Sequence, residues 1–442
     1  MEKSNTSNYP KIYWIDLFCG AGGTSTGIHL AGSKVLACVN HDANAIKSHF
    51  ENHPEAHHFT EDIRDFSVVV KLKKLVDDIR DNEPDAIISI WASLECTNFS
   101  RAKGGQPRNA DSRTLAEHMF MYLQELKPDY FWVENVKEFL SWGSLDENGK
   151  PISKNQGQDF LKWVDNVKSH GFRFDKKLLN SADYGAYQSR ERLFLQFAKN
   201  QLPISWPAQT HTKDKVVSDL FPLEKWKSVR DILDLNDEGN SIFERKKPLV
   251  DNTIKVIIKG VVKAMEEKEN GILFKYYGNG DNLNSFDKPA GTVTTKDRFA
   301  KIHLIFNQYK NGNISSIEKP LGTITTTPKA NLVSFLMNPS YGGHTSSIDR
   351  PSPVIIARQD KAPLYLIKAI MSEFGISDIK MRMLNIPELK QIQGFPKDYK
   401  LIGTQTEQKK FIGNAVEVNQ AKAIVSQQIA ALKHHFNLAI VA

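Results

Sequence analysis

From residue 12 to about residue 200, short apolar runs alternate with stretches whose apolar residues recur at helical spacing. That alternation admits few folds besides a mostly parallel sheet wrapped by helices on both faces. The expected strands are 12–17, 35–39, 57–62, 85–90, 130–133, 172–179 and 193–198, and the expected helices are 43–50, 68–79, 114–126 and 160–170. Between the last two strands, 180–192 carries no helical stretch, so these two are expected to pair as an antiparallel hairpin at one edge. The predicted fold class is α/β, a doubly wound, Rossmann-like sheet of seven strands. At 442 residues the chain also exceeds what one core usually encloses, so a second, smaller domain is expected.

The texture changes between 201 and 380, where prolines, glycines and threonine-rich strands replace the alternation. Phe286-Asp287-Lys288-Pro289-Ala290-Gly291-Thr292-Val293-Thr294-Thr295 recurs as Ile317-Glu318-Lys319-Pro320-Leu321-Gly322-Thr323-Ile324-Thr325-Thr326, and more faintly from Ile348 to Ala357. Pro289, Pro320 and Pro351 set a period of 31 residues, and a Tyr/Gly/Asn segment precedes each copy. Such units are too small to bury their own faces, and either stack as a scaffold or present a recognition surface. From 381 to 442 the pattern turns helical again. Its last helix needs an apolar partner, which the first domain's sheet would supply. The expected organisation is a catalytic domain over 1–200, a β-rich domain over 201–380 and a return segment over 381–442.

Candidate chemistry gathers at strand ends. Asp16-Leu17-Phe18-Cys19-Gly20-Ala21-Gly22-Gly23 is a strand running into a glycine turn and a helix, a place where the backbone can approach an anionic ligand. Ser25 stands where a dinucleotide fingerprint has its third glycine, which speaks against NAD or FAD. Asp42 and Asp62, near the ends of the next two strands, suit ribose hydroxyls and an adenine amino group, or else cap helices. Cys96 follows the fourth strand, where open α/β sheets collect reacting groups. The loop after it carries Arg101, Lys103, Arg108 and Arg113 around Gly104-Gly105, as a loop closing on a phosphate backbone would. Glu134 ends the apolar fifth strand and is a candidate proton donor. In Gln188-Ser189-Arg190-Glu191-Arg192, strand alternation would turn both arginines the same way, one to the site and one into a structural ion pair.

In order and spacing these segments resemble the DNA cytosine-5 methyltransferase family over almost the whole chain. The glycine turn looks like its cofactor loop, Cys96 occupies its nucleophile position, and Glu134-Asn135-Val136 and the Gln-x-Arg-x-Arg run match its next motifs. Leu384-Asn385-Ile386-Pro387-Glu388, Gln393-Gly394-Phe395-Pro396 and Phe411-Ile412-Gly413-Asn414-Ala415-Val416 complete the series. Two departures are plain: Glu95 stands where the family has proline, and the acidic residue of its second motif is matched by His41 or displaced to Asp42. The resemblance implies an S-adenosylmethionine-dependent methyltransferase fold with a smaller target-recognition domain. It implies Cys96, Glu134, Arg190 and Arg192 as catalytic residues. It implies Asp16, Phe18, Gly20, Gly22, Gly23, His41, Asp42, Asp62, Asn414 and Val416 around S-adenosylmethionine. Arg101, Lys103, Arg108 and Arg113 would touch DNA.

Double-stranded DNA is the partner implied, with room for a cognate restriction endonuclease, and a net charge of +7 suits a polyanion. A monomer in the cytoplasm of a bacterial or phage-infected cell is expected, without membrane association: no apolar run is long enough to span a bilayer. Cys19, Cys38 and Cys96 are too widely spaced for a finger-type metal pair, so no metal site is expected. His57-His58 and His434-His435 are expected at the surface. Rival readings are a relative acting on transfer RNA, disfavoured by the long repeat-bearing region, and a silent DNA-binding relative, disfavoured by Cys96, Glu134 and both arginines.

Overall fold

The computed structural model describes residues 9–94, 115–143, 152–153, 157–199, 201–213, 222–249, 254, 257, 273–274, 283–284, 304–307, 313–316, 331–338, 344–355, 364–372 and 375–441. They form two compact units. The first comprises 1–227, 353–357 and 389–442, and the second 228–352 and 358–388.

The first unit is built on seven strands, β1 (Ile12–Leu17), β2 (Lys34–Asn40), β3 (His57–Thr60), β4 (Ile87–Ser93), β5 (Tyr130–Asn135), β6 (Phe172–Asn180) and β7 (Glu191–Lys199). Their order is β3-β2-β1-β4-β5-β7-β6, parallel from β3 to β5, with β7 antiparallel to both β5 and β6. Every residue of β1 is buried because it lies between two strands and under helices on both faces, which is why its sequence is a nearly unbroken apolar run. On one face Ile15, Ile90, Phe131 and Phe197 meet the helices α3 (Phe66–Asn82), α4 (Met119–Leu126) and α5 (Gln158–Ser169). Two further helices are α1 (Gly23–Leu30), whose Ile28 packs on the opposite face, and α2 (Ala43–Asn52). On the other face Trp14, Trp91 and Trp132 form a row, Trp91 stacked on Trp132 with ring centroids 5.8 Å apart.

The return segment supplies α6 (Ile386–Ile392), α7 (Gln405–Asn414) and α8 (Val418–Val441). Ile424, Val425 and Leu432 of α8 cover the tryptophan row, and Trp132 Nε1 donates to Gln428 Oε1 at 2.6 Å. The same helix packs closely on α1: a Cβ on Gly27 would lie 2.6 Å from Ala421 Cβ and 2.9 Å from the Val418 carbonyl oxygen. Gly27→Ala is therefore expected to lower stability by about 2 kcal/mol, although alanine is the better helix former by about 1 kcal/mol. Thermal melting checks this, and an unchanged or raised Tm would mean that the two helices do not touch there.

A buried carboxylate begins α8. Glu417 accepts from the Gln420 backbone N–H at 2.7 Å and from Asn419 Nδ2 at 2.8 Å, and burial pushes its carboxyl up to about 7. The native state thus keeps a proton that the unfolded chain releases, so this stability is whole below the ordinary glutamate range and drains away as pH rises through about 7. Glu417→Gln is expected to remove on the order of 1–3 kcal/mol of the stability lost between pH 5 and 8. Denaturant midpoints across that range test it, and a profile parallel to that of the unsubstituted protein would refute it.

In the second unit a five-stranded antiparallel sheet runs in the order Asn240–Ser241, Gly375–Met383, Tyr365–Ser372, Asn331–Asn338, His344–Ser347. The 31-residue repeat takes shape as successive hairpins. Leu304 pairs with Ser316 and, one period on, Phe335 pairs with Ser347, while Leu273–Phe274 pairs with Leu283–Asn284 one period earlier. The Tyr/Gly/Asn segments lie between the paired strands, outside the described residues for the most part, as do Pro289 and Pro320. Glu388 is buried here, bridged to Arg382 at 2.8 Å and accepting from the backbone N–H groups of Asp234 and Asn385. The Leu384–Glu388 motif is a capping device rather than a reactive one. Among the described residues no helix is long and apolar enough to cross a membrane.

Candidate active site

The sheet order reverses between β1 and β4, and open α/β sheets bind ligands at the carboxyl ends beside such a reversal. At the end of β1 the backbone is left-handed at Phe18 (φ 62°), Gly20 (φ 52°) and Gly22 (φ 101°). The alternation curls the chain into a tight turn closed by the Gly22 N–H to Cys19 carbonyl bond at 3.0 Å. The glycines face opposite ways. A Cβ on Gly20 would meet nothing within 4 Å, whereas one on Gly22 would lie 2.3 Å from the Tyr399 hydroxyl and one on Gly23 2.5 Å from the Val416 carbonyl oxygen. Gly20 presents open space to a ligand, while Gly22 and Gly23 let the return segment seat against the turn.

Asp16 lies beneath the turn, fully buried, and accepts from Ser25 Oγ at 2.7 Å. Burial pushes its carboxyl up to about 7. It holds α1 to β1 and presents no surface to a ligand. Asp42 is the N-cap of α2, accepting from the backbone N–H groups of Asn44 and Ala45, with Lys410 Nζ 3.4 Å from its second oxygen. The neighbouring His41 is exposed. Asp62 lies beyond the end of β3, in the following turn, where the Arg64 side chain binds both carboxylate oxygens and holds the group down at about 2. Both aspartates therefore carry local structural bonds at the rim of the turn. Asn414 ends α7 with its side chain exposed, and Val416 is buried against Gly23.

Glu134 sits at the end of β5, its side chain about one-tenth exposed, 3.3 Å from Arg192 Nε. The antiparallel sense of β7 causes this meeting: Phe194 is opposite Glu134 and Leu193 opposite Asn135, so the start of β7 comes level with the end of β5. Asn135 Nδ2 reaches the Leu94 carbonyl at 3.4 Å, tying β5 to the end of β4. Cys96 and the basic residues Arg101, Lys103, Arg108 and Arg113 lie outside the described residues.

Arg190 departs from the alternation expected of it. β7 begins only at Glu191, so Arg190 is not in the strand; its buried guanidinium donates to the carbonyls of Ile355 and Gly413. Arg192, within the strand, faces Glu134 and makes an ion pair with it. Gln188 Nε2 donates to Gln393 Oε1 at 2.7 Å, and Gln393 Nε2 to the Ala415 carbonyl at 2.6 Å, so three distant motifs share one hydrogen-bond relay.

Sequence spacing missed one cluster. Cys19 and Cys38 are 19 positions apart, but β1 and β2 are parallel neighbours, and both thiols lie beside His49 of α2 in a buried group. His58, expected at the surface with His57, turns its Nε2 to within 2.9 Å of His49 Nδ1. Placing both cysteines at the carboxyl ends of adjacent strands would have revealed the group.

The family model for C-5 cytosine-specific DNA methylase matches residues 12–430. Type II methyltransferase M.AgeI of Thalassovita gelatinovora is 30% identical over 248 residues, 53% of this chain and 53% of its own. Type II methyltransferase M.XorII of Xanthomonas oryzae pv. oryzae is 33% identical over 201 residues, 44% of this chain and 43% of its own. The chain thus spans about half the length of these curated relatives. A prophage-encoded protein of E. coli, assigned as a DNA modification methyltransferase, shares the fold with a TM-score of 0.50 at 19% identity, covering 96% of this chain and 99% of that one.

Proposed function

Because the chain belongs to the C-5 cytosine-specific DNA methylase family, we propose that it transfers a methyl group from S-adenosylmethionine to carbon 5 of a flipped-out cytosine in double-stranded DNA, with Cys96 as covalent nucleophile. The observation that carries this reading is the Glu134–Arg192 pair, 3.3 Å apart at the end of β5 and tied through Asn135 to the strand that leads to Cys96. An acid and a guanidinium side by side match the N3, amino and O2 edge of cytosine.

The turn suits the cofactor. Gly20 opens onto free space within a run of left-handed residues, which allows a bulky ligand to approach the backbone. Phe18, Gly20 and the Gly22-Gly23 pair would hold S-adenosylmethionine there, with Val416 behind them and His41, Asp42, Asp62 and Asn414 at the rim. When bound, the cofactor supplies an electrophilic methyl group. Asp62 would exchange its bond to Arg64 for one to the nucleoside, and Asp42 would offer the oxygen not engaged in capping.

Carbon 5 of cytosine is a weak nucleophile until a bond forms at carbon 6, and a thiolate suits that addition. Cys96 Sγ adds to carbon 6, Glu134 gives a proton to N3 and Arg192 binds O2, so the electron pair displaced from the ring double bond is held at carbon 5. Once carbon 5 carries the methyl group, loss of its proton, departure of Cys96 as thiolate and return of the N3 proton to Glu134 restore the ring. Arg190 positions the start of β7 through its carbonyl bonds and keeps Arg192 in line. The target base must leave the stack, at the cost of a few kcal/mol, and the Arg101–Arg113 loop would close behind it. The second unit, with its periodic hairpins, is the reading surface, and sequence-specific modification, with room for a cognate restriction endonuclease, is the setting this reading implies.

Trapping tests the whole reading. Incubation with S-adenosylmethionine and duplex DNA containing 5-fluorocytosine, whose fluorine does not leave as a proton does, is expected to give a denaturation-resistant complex. A complex formed on RNA alone would transfer the chemistry to that substrate, and none on either, with DNA binding intact, would remove the catalytic role.

A further inference from the structure

The buried group under the cofactor turn is more than packing. Cys19 Sγ, Cys38 Sγ and a ring nitrogen of His49 all lie within 4.8 Å of one another, and all three residues are buried. Cys38 Sγ is 3.6 Å from His49 Nδ1, and that nitrogen is 2.9 Å from His58 Nε2. A zinc ion with sulfur at about 2.3 Å and nitrogen at about 2.0–2.1 Å in a tetrahedron separates sulfur from nitrogen by about 3.6 Å. His58 is not among the three residues whose ligand atoms lie mutually within 4.8 Å, so to complete a tetrahedron its ring must give up the bond to His49 Nδ1 and turn toward the metal.

We propose that Cys19, Cys38, His49 and His58 form a structural site for one thiophilic divalent cation, zinc by its donor set. Two sulfurs and two imidazoles are the soft and borderline ligands that zinc takes in closed four-coordinate sites. Nothing in the cluster leaves a coordination position for substrate, so the ion would bind and not react. On binding, each thiol passes one proton to solvent and the two new thiolates neutralise the divalent charge, which removes the cost of burying an ion. The four ligands come from the turn after β1, from β2, from α2 and from β3. One ion would therefore fasten the turn that presents Gly20 to the three elements beneath it. His49 Cδ2 already lies 3.1 Å from where a Cβ on Gly22 would stand, so the cluster and the turn share a wall.

Metal binding can be read without activity. The full chain, purified without chelator, is expected to carry one equivalent of zinc by elemental analysis. After metal removal, titration with cobalt(II) alone should produce a thiolate charge-transfer band and the intense visible bands of tetrahedral cobalt, saturating at one equivalent. Zinc added afterwards should bleach both and raise the Tm of the metal-free protein. Cys38→Ser should abolish the charge-transfer band at one equivalent, whereas Cys96→Ser should leave it intact, since Cys96 is not a ligand. A folded unsubstituted chain that holds no stoichiometric metal and gives no cobalt spectrum would overturn the site and leave a hydrogen-bonded Cys–His cluster. So would a band that persists in Cys38→Ser and vanishes in Cys96→Ser.

Discussion

Cys96→Ala is expected to lower methyl transfer to duplex DNA by roughly four orders of magnitude or more, the scale on which loss of a covalent nucleophile acts, while DNA affinity stays nearly unchanged. Without addition at carbon 6 the ring offers no electron pair at carbon 5, and a thiolate is the side chain suited to that addition. Cys19 and Cys38, the other two cysteines, are buried at the glycine turn and lie beside His49. Single-turnover assays with labelled cofactor measure the loss, and filter binding measures the affinity. Activity within tenfold of the unsubstituted enzyme would mean that no covalent adduct with Cys96 lies on the path.

Glu134→Gln is expected to lower kcat by about 10²–10⁴-fold with a much smaller change in KM, because the amide keeps the shape of the carboxyl group and loses the proton it delivers. Arg192 stands 3.3 Å away, so the two side chains act as one unit. The losses in Glu134→Gln and Arg192→Ala should therefore fall well short of adding in the double variant. Full additivity would separate the two roles, and an undiminished kcat in Glu134→Gln would take Glu134 out of the chemistry.

Sheet and core were legible because burial on both faces writes itself into composition. The apolar run places β1 at 12–17, where it is Ile12–Leu17, and each remaining strand differs from expectation by at most three residues at either end. Apolar spacing predicts a helix from 114, but α4 begins at Met119, since 115–118 has helical apolar spacing and folds as a turn. Side-chain duties were harder to read. Asp42 looks alike in sequence whether it caps a helix or holds a ribose, and only the bonds from Asn44 and Ala45 reveal the cap. Arg190 obeys alternation only if the strand includes it, and the strand starts one residue later. The Cys19, Cys38, His49 and His58 cluster was invisible for another reason. Motif spacing measures distance along the chain, whereas parallel strands with a crossover bring together residues that no short pattern contains.

The contact of Gly27 with Ala421 also sets a timetable. Helices α1 and α8 belong to one unit, yet nearly four hundred residues, including the whole second unit, are made between them. A ribosome adding about 5–20 residues per second therefore takes on the order of half a minute to pass from one to the other. Through that interval the tryptophan row lacks its cover and the glycine turn lacks Tyr399 and Val416 at its back. A chain cut short between Arg192 and α8 has every side chain proposed for catalysis and no finished floor beneath them. On the proposed function, competence to modify DNA would thus arrive late in synthesis, and incomplete products would remain inert.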